Sequence, residues 1–408
     1  MSKTVAATSQ HIASNNTTSA NPAHYLMWFR RDLRVHDNTA LAALCERANE
    51  DNARVSAIFF MTPEQWHAHD MSLTQLDHIA RTLPLLATSL QKHLNINLTV
   101  QLCASFSDCI ESITTLCEVN DISVVMANHE YEGNEIDRDQ ELTKQLAKSD
   151  IKFIRWHDQC ILPPKTITTN DDSMYQVFTP FYNKWRHTLD VSNLQMHHSM
   201  AVNYQSKISQ SKTTLKTAKE SANTVKDIEQ LSKKAVEDYQ KRLETALAYQ
   251  HIDFGAQLEQ ARTAYPAGEG AARQRLEDFI ADDIDNYDIS RDVPNLQATS
   301  QLSAYLTIGA ISPRLCYLQA TKSLERLQGN DSDNFNSSDN NDINRWISEL
   351  AWRDFYRHVL DYKPELIRHK AYKEETDNKI HWSYNQDDFK AWCTGMTGVP
   401  LVDALKSS

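Results

Sequence analysis

The stretch that decides the fold opens with YLMWF (25–29), NTALAALCERAN (38–49) and RVSAIFFM (54–61), in which a helical segment separates two short apolar runs. The alternation continues with a helical segment (72–95), NLTVQL (97–102), a helical segment (105–119), ISVVMA (122–127), a charged helical segment (134–148) and IKFIRW (151–156). Nearly continuous apolar strands that alternate with helices are typical of a parallel sheet with both faces covered. The sequence therefore predicts a doubly wound α/β domain, in which ligands bind beyond the carboxyl ends of the strands.

The rest of the chain has no strand-like alternation. Residues 204–249 are rich in Lys, Ser, Thr, Gln and Glu, which predicts a solvated connector whose second half (226–249) is helical. From Tyr265 onward apolar residues recur at helical spacing, and the polar segment 328–342 predicts a loop without a core residue. The expected organisation is a disordered extension (1–23), the α/β domain (24–185), a partly helical connector (186–262) and an all-helical domain (263–408).

The sequence is unusually poor in glycine. Only eight glycines occur in 408 residues, and no placement of them gives G-x-G-x-x-G or G-x-x-x-x-G-K-[ST]. This excludes the dinucleotide fingerprint and the P-loop, which both need closely spaced glycines for the backbone to approach a phosphate. Any phosphate that the protein binds must be held in another way.

Charge and cysteine usage bound the class of protein. The formal net charge of −12 argues against a protein that coats nucleic acid indiscriminately, although it leaves room for a local basic patch. Seven widely spaced cysteines without a C-x-x-C pair argue against zinc, other metals and a disulfide framework. The N-terminal stretch has no apolar core typical of a signal peptide, and no apolar run is long enough to span a membrane, so we expect a cytoplasmic protein.

A charged turn, MWFRRDLRVHDN (27–38), follows the first strand directly. Its three arginines and two aspartates come where a doubly wound sheet presents its ligand crevice. The residues alone leave two interpretations open, a ligand-facing cluster or a solvated charged turn.

A second constellation is YDISRDVPNLQATSQLSAYLTIGAISPR (287–314). Thr299 and Ser300 precede a helical run, which predicts that they are N-cap residues. The free N–H groups at a helix N-terminus favour an anion, so this segment is a candidate phosphate holder. The alternative is simple capping of a structural helix.

A third constellation is RWISELAWRDFYRH (345–358). On a helix, Trp346, Glu349 and Arg353 fall on one face, and Trp352 lies three residues after Glu349 and four before Tyr356. An aromatic floor with a carboxylate suits a planar heterocycle, whereas the alternative is a salt-bridged amphipathic helix. The basic run KPELIRHKAYK (363–373) is either a solvated face or a contact to DNA phosphates.

Four segments in a fixed order carry a resemblance to a known family: MWFRRDLRVHDN (27–38), YPAGEGAARQRLEDF (265–279), SRDVPNLQATSQLSAYLTIGAISPR (290–314) and WISELAWRDFYRHVL (346–360). They resemble the cryptochrome/photolyase family, most closely its bacterial class I cyclobutane-pyrimidine-dimer photolyases, over residues 24–405. The resemblance implies an N-terminal α/β domain joined by a long connector to an all-helical FAD domain. It also implies light-driven repair of pyrimidine dimers in DNA by electron transfer from reduced FAD, in a monomer.

The resemblance assigns expected roles to particular residues. Tyr287 and Trp346 resemble flavin-contacting residues, and Thr299, Ser300, Gln301, Leu302 and Ser303 resemble the diphosphate-binding stretch. Glu349 and Trp352 resemble the pair that hydrogen-bonds and stacks against the flipped-out dimer. Arg291 and Arg353 resemble DNA- or flavin-facing arginines, and the same implied surface includes Tyr356. Trp382 resembles the surface member of the tryptophan chain that reduces the flavin.

A second chromophore is implied by NHEYEGNEIDRD (128–139), which resembles the family's folate-contacting segment. Asn134 and Glu135 occupy the matching positions, and Arg368 stands where many members have a lysine for the acidic tail of the folate. The expected antenna is therefore a reduced folate, 5,10-methenyltetrahydrofolate. Arginine keeps the charge of lysine but changes the geometry.

The end of the sequence departs from the family pattern. AWCTGMTGVPLVDAL (391–405) matches a motif after which members of the family continue with further helices. We therefore expect the helical domain of the 408-residue chain to be incomplete and its FAD binding to be weak. Two other interpretations stay open at this point, a cryptochrome-like blue-light sensor and an inactive truncated product.

Overall fold

A computed structural model describes most of the chain: residues 22–192, 194–204, 215–217, 221–247, 252–284, 286–293, 295–330, 337–368 and 370–407. Residues 1–21 of the expected N-terminal extension therefore lie outside the described residues. The chain forms two compact units, Met1–Tyr362 and Lys363–Ser408. No described helix is long and apolar enough to cross a membrane.

The first unit contains a six-stranded sheet in the order β5-β4-β1-β2-β3-β6. Its strands are β1 (His24–Phe29), β2 (Arg54–Met61), β3 (Asn97–Leu102), β4 (Ile122–Asn128), β5 (Lys152–Trp156) and β6 (Ser221–Ala222). The first five are parallel, so the predicted doubly wound sheet is confirmed, and the order reverses between β1 and β4. Sequence reasoning missed β6, which pairs antiparallel with β3, because two residues in a polar segment carry no periodic signal.

Helices cover both faces of this sheet: α1 (Thr39–Glu50), α2 (Pro63–Ala68), α3 (Leu73–Ser89), α4 (Phe106–Val119) and α5 (Gly133–Ala147). The side chains of β1 alternate between two separate cores. Met27 and Phe29 belong to the larger core, whereas Leu26 and Trp28 belong to the core under α4 and α5. This explains the continuous apolar run of β1, because a strand covered on both faces needs apolar residues at every position.

The described part of the segment predicted to be a solvated connector packs on the core through its helix instead. It follows α6 (Phe178–Ser192) and contains α7 (Val225–Ala246), so the predicted helix is confirmed. Ile228, Leu231 and Tyr239 are buried, α7 packs against α3, and the Tyr239 hydroxyl donates to the carbonyl of Met71 at 2.6 Å. The polar composition of the segment concealed a narrow apolar stripe at helical spacing, which is enough to bury one face.

The second half of this unit is helical, as predicted: α8 (Phe254–Ala264), α9 (Gly268–Asp278), α10 (Tyr287–Ser290), α11 (Ser303–Ile308), α12 (Pro313–Asn330) and α13 (Ser337–Tyr362). The polar loop predicted at 328–342 is wrong for residues 328–330, which end α12, and for residues 337–342, which form the start of α13, while residues 331–336 lie outside the described part. The buried carboxylate of Asp342 accepts hydrogen bonds from the backbone N–H groups of Asn286 and Asp288 at 3.0 and 2.7 Å. A polar residue therefore anchors α10 to α13, which a search for apolar core positions does not detect.

The charged turn 27–38 is largely a buried joint between the sheet and the helices. Arg34 pairs with Asp158 at 2.6 Å and donates to the carbonyl of Gly309 at 3.1 Å, while Asp37 pairs with Arg314 at 3.0 Å. All four charged side chains are buried. This part of the turn is neither solvated nor open to a ligand, because each of its charged side chains is buried in an ion pair with an oppositely charged one.

The second unit begins with a 3₁₀ turn (Pro364–Arg368) and contains the short helices α14 (Glu374–Asp377), α15 (Gln386–Cys393) and α16 (Pro400–Ser407). Its apolar side chains are mostly exposed, including Tyr384, Met396 and Leu401.

Candidate cofactor and DNA site

An open cleft of roughly 920 Å³ lies between α8, α9 and the segment before α11. Three of the residues that resemble a diphosphate-binding stretch, Thr299, Ser300 and Gln301, line it. Glu259, Gln274, Arg275 and Asp278 add polar groups, and Phe279 and Tyr305 add aromatic ones.

The N-cap prediction for Thr299 and Ser300 is wrong. The helix α11 begins only at Ser303, its N-cap position is Leu302, and no side chain caps it. Gln301 adopts a left-handed backbone conformation with φ of 50°, which interrupts helical geometry just before α11. The two hydroxyl residues therefore lie in an irregular segment at the rim of the cleft.

This irregular segment still presents backbone donors. Within the described part of the chain, the N–H groups of residues 299–302 make no backbone–backbone hydrogen bond. Gln301 is left-handed and Leu302 is right-handed, and such a sequence of conformations turns successive N–H groups toward one concavity that favours an anion. A phosphate bound by this segment would therefore be held by a nest of backbone N–H groups instead of a helix cap.

Phe279 connects the cleft with the residues that resemble a flavin pocket. Its ring lies 5.8 Å from Tyr287 in an edge-on arrangement and 5.2 Å from Trp346. All three rings are buried, and burial raises the pKa of the Tyr287 phenol. Sequence reasoning did not single out Phe279, whose only signal was its place at the end of the matched segment 265–279.

Glu349 and Arg291, two further predicted site residues, form an ion pair between α13 and the C-terminal end of α10. The guanidinium of Arg291 also lies 5.6 Å from the centre of the Tyr287 ring. A hydrogen bond to Glu349 raises the pKa of the Arg291 guanidinium above its usual value. Both side chains stay partly exposed, so the pair can exchange partners with a polar ligand.

Trp352 lies in a stack of aromatic rings at the surface of α13. Phe178 of α6 covers it in a nearly parallel arrangement, with ring centres 3.6 Å apart and planes at 7°. Tyr356 lies 5.6 Å away at 25° and is 59% exposed. Phe178 was not anticipated, because it is 174 residues away in sequence and only the tertiary structure brings it to α13.

Trp346, Glu349 and Arg353 were predicted to share one face of the helix, but each contacts a different partner. Trp346 packs on Phe279 and Glu349 pairs with Arg291, as described above. Arg353 instead donates a hydrogen bond to the carbonyl of Gln159, in the loop after β5. The guanidinium of Arg353 is therefore committed to a backbone contact in this structure.

The predicted antenna residues Asn134 and Glu135 lie at the start of α5. Glu135 lines a cavity beyond the carboxyl ends of β1 and β2, together with Trp28, Arg31, Trp66 and Arg138. Burial and the nearby carboxylate of Glu130 raise the pKa of Glu135 to about 7, although Arg31 lies 3.7 Å from it. The side-chain amide of Asn134 lies 3.3 Å from the Nε2 atom of His69.

Arg368 and Trp382 belong to the second unit. Arg368 ends the 3₁₀ turn, and Trp382 lies between α14 and α15 with 63% of its surface exposed. In the same unit Lys363 donates to the carbonyl of Tyr372 at 3.1 Å, and its ammonium lies 3.9 Å from the centre of that ring. Among the described residues of either unit, no group of three or more His, Cys, Asp or Glu side chains is arranged to hold a metal ion.

Comparison with known proteins identifies the family of this chain. Residues 25–201 match the DNA photolyase family model, and residues 346–407 match the FAD binding domain of DNA photolyase. The deoxyribodipyrimidine photo-lyase of Salmonella typhimurium is 34% identical over 383 residues, which cover 94% of this chain and 70% of the relative.

Solved structures show the same fold. A bacterial class III photolyase from Agrobacterium tumefaciens superposes with a TM-score of 0.68 at 25% identity, covering 96% of this chain and 69% of its own. A cryptochrome from Synechocystis has the same TM-score at 21% identity, covering 94% of this chain and 70% of its own, and this likeness concerns the fold alone. With its photolyase sheet domain, its FAD-binding segment and relatives that match over nearly its whole length, the chain belongs to the DNA photolyase family.

Proposed function

We propose that this protein repairs cyclobutane pyrimidine dimers in DNA in a light-driven reaction that uses reduced FAD. The observation that carries the proposal is the grouping around Phe279. On one side of this ring lies a cleft with a nest of backbone N–H groups, and on the other lie Tyr287, Trp346 and the Arg291–Glu349 pair. A cofactor with an anionic diphosphate and a flat aromatic ring requires both kinds of surface.

The described residues fit FAD. When bound and reduced, FAD supplies the electron that opens the dimer, and the protein supplies binding, orientation and exclusion of water. The backbone N–H groups of residues 299–303 and the hydroxyls of Thr299, Ser300 and Ser303 bind the diphosphate. Phe279, Tyr287 and Trp346 provide the apolar contact for a planar ring.

The face of α13 beyond this pocket suits the flipped-out dimer. The Glu349 carboxylate accepts a hydrogen bond from a base N–H, and Arg291 pairs with that carboxylate from α10. Because Phe178 already covers Trp352, a base stacks on the remaining surface of Trp352 and on the exposed ring of Tyr356. Arg353 supports this surface. Trp382, an exposed ring of the second unit, is the proposed residue at which electrons enter the protein.

We further propose that a reduced folate is the antenna pigment, with the protein acting as a monomer. The cavity beside Glu135 is bounded by tryptophan rings and by Arg30, Arg31 and Arg138, which suits a flat pigment with an acidic tail. Asn134 and Glu135 are its proposed polar contacts. Mass spectrometry of the pigments released from the purified protein tests this assignment, and a pigment of another class would contradict it.

The test of the main proposal is repair of a dimer-containing oligonucleotide under blue light and in the dark. We expect light-dependent repair by the parent chain, and a loss of at least tenfold in Glu349→Gln with unchanged FAD content. The matched control is Glu325→Gln, since Glu325 is an exposed carboxylate on the neighbouring α12. Repair by Glu349→Gln at the parental rate would contradict the role of Glu349. FAD bound without any repair would favour a light sensor instead.

A further inference from the structure

The segment that lines the proposed diphosphate site has an unusual charge balance. Thr299 to Ser303 contain no cation, although a diphosphate carries concentrated negative charge. The described residues around the cleft include a single basic side chain, Arg275, against the two carboxylates of Glu259 and Asp278. Glu259 is paired with Arg262 at 2.8 Å, and Asp278 accepts from Gln274 at 2.8 Å, so neither carboxylate is paired with Arg275 by these contacts.

Arg275 is held beside the nest by hydrogen bonds to Gln301 and Ala264, and its guanidinium also interacts with the side chain of Tyr305. One nitrogen of its guanidinium donates to the side-chain oxygen of Gln301 at 2.8 Å, and another donates to the carbonyl of Ala264 at 2.7 Å. The guanidinium also lies 5.8 Å from the centre of the Tyr265 ring. These contacts fix a cation next to the N–H groups of residues 299–302, with further donors of the guanidinium available for an oxyanion.

We propose that Arg275 is the phosphate-binding cation of this cleft and that Gln301 positions it. This inference rests on the proposed binding of FAD and specifies which side chain recognises its diphosphate. A guanidinium binds phosphate oxygens through two parallel hydrogen bonds, which backbone N–H groups and hydroxyls alone do not replace. The neutral residue Gln301 therefore serves as an acceptor that orients Arg275, and the charge reaches the phosphate from α9.

The test compares FAD with riboflavin, which lacks the phosphates, in equilibrium dialysis against the full 408-residue chain. We expect Arg275→Gln to weaken FAD binding at least tenfold and to change riboflavin binding less than twofold. The matched control is Arg273→Gln, since Arg273 is exposed on the same helix two residues away. The exchange variant Arg275→Gln with Gln301→Arg returns a cation to the same place and should recover most of the FAD affinity.

The outcomes separate this inference from the proposal on which it rests. If the parent chain binds FAD and Arg275→Gln binds it equally well, the role of Arg275 is wrong and the proposed function stands. If both ligands are weakened equally, Arg275 has only a structural role and the inference is again wrong. If the parent chain binds no FAD, the proposed cofactor fails together with the inference. The stability of each variant, measured by thermal unfolding, identifies a fall in affinity that is due to misfolding, and Arg275→Lys then provides the milder test.

Discussion

At the scale of single residues, Gly309 illustrates how closely the sheet and the helices approach each other. Its φ of 70° is left-handed, and a Cβ atom built on it would lie 2.1 Å from the carbonyl oxygen of Arg31. Beside it, the N–H of Leu33 donates to the carbonyl of Ile308 at 3.2 Å. No side chain fits at this position without separating the two backbones.

We expect Gly309→Ala to reduce the free energy of unfolding by about 2–5 kcal/mol, because it combines left-handed strain with a backbone clash. Gly270→Ala is the matched control: nothing lies within 4 Å of its added Cβ, and Gly270 lies inside α9. Alanine there should stabilise the protein by about 0.5–1 kcal/mol. Urea unfolding of both variants measures the difference, and equal stabilities would contradict the close approach.

Ionisation of the Glu135 carboxyl lowers the free energy of unfolding. Burial and the Glu130 carboxylate raise its pKa from 4.5 to about 7, so the native state holds its proton more tightly than the unfolded state does. Stability therefore falls as the pH rises from about 4.5 to about 7, where the unfolded chain ionises first. Above that range the cost is constant.

We expect Glu135→Gln to raise the free energy of unfolding at pH 8 by at most about 3 kcal/mol, and to change it little at pH 4.5. Glu141→Gln on the same helix is the control, because a hydrogen bond from Gln145 lowers the pKa of Glu141 and gives the opposite trend. The measurement is urea unfolding between pH 4.5 and pH 8. A gain that does not depend on pH would show that Glu135 is not titrating in this range.

At the scale of elements, α7 contributes to the core through a single face. Its buried residues recur at three- and four-residue intervals and pack against α3, although most of the helix is polar. We expect Ile228→Ala and Leu231→Ala each to cost about 2–5 kcal/mol in unfolding free energy. Lys233→Ala on the exposed face is the control and should change it by less than about 0.5 kcal/mol. Small effects at Ile228 and Leu231 would restore the interpretation of α7 as a solvated connector.

The contact between α6 and α13 decides how Trp352 presents its ring. Phe178 covers the indole in a parallel stack, and Phe355 touches both rings at their edges. We expect Phe178→Ala to weaken binding of a dimer-containing oligonucleotide severalfold, because Trp352 then loses the partner that orients it. FAD binding should not change.

The control for this contact is Phe178→Leu, which keeps apolar volume without a flat ring and should lie between the parent and the alanine variant. Trp352→Ala should weaken binding more than either change at Phe178. If Phe178→Ala binds the oligonucleotide like the parent chain, Phe178 does not position Trp352.

At the scale of the whole molecule, a net charge of −12 must be reconciled with a DNA substrate. The cations that we propose to contact DNA are Arg291 in the first unit and, separately, the basic run of residues 363–373 in the second. Each cation that contacts a phosphate releases counterions, so the logarithm of the affinity falls with the logarithm of the salt concentration. A protein can therefore bind DNA through one face while its total charge is negative.

We expect a variant in which Arg368, Lys370 and Lys373 are all changed to Gln to lower that salt slope by about 1 for each lost phosphate contact. The control changes three exposed lysines of α7 to Gln: Lys226, Lys233 and Lys234. Binding of a dimer-containing duplex at several salt concentrations gives both slopes. Equal slopes for the two triple variants would remove the basic run from the DNA surface.

Elements whose signal is local could be predicted from the amino-acid sequence. Strands β2 and β3 coincide with their predicted bounds, because their apolar residues and the turns beside them lie within a few positions of one another. The sequence also indicated the family and its candidate residues, because the four matched segments are contiguous and long. The loop predicted at 328–342, in its described residues 328–330 and 337–342, and the N-cap predicted at Thr299 and Ser300 were wrong for one reason. Asp342 in α13 and the left-handed Gln301 both make hydrogen bonds to residues that are distant in sequence. A pattern of neighbouring residues carries no information about such contacts.

Which of the candidate residues contact one another depends on the tertiary structure. The pairing of Glu349 with Arg291, the stacking of Phe178 on Trp352 and the contact of Arg275 with Gln301 join residues between 26 and 174 positions apart. The spacing of residues along one helix predicted a shared face for Trp346, Glu349 and Arg353, yet each is turned to a different partner from another element. Hydrophobic periodicity fixes which side of an element is buried, whereas the identity of the neighbour depends on how distant elements pack.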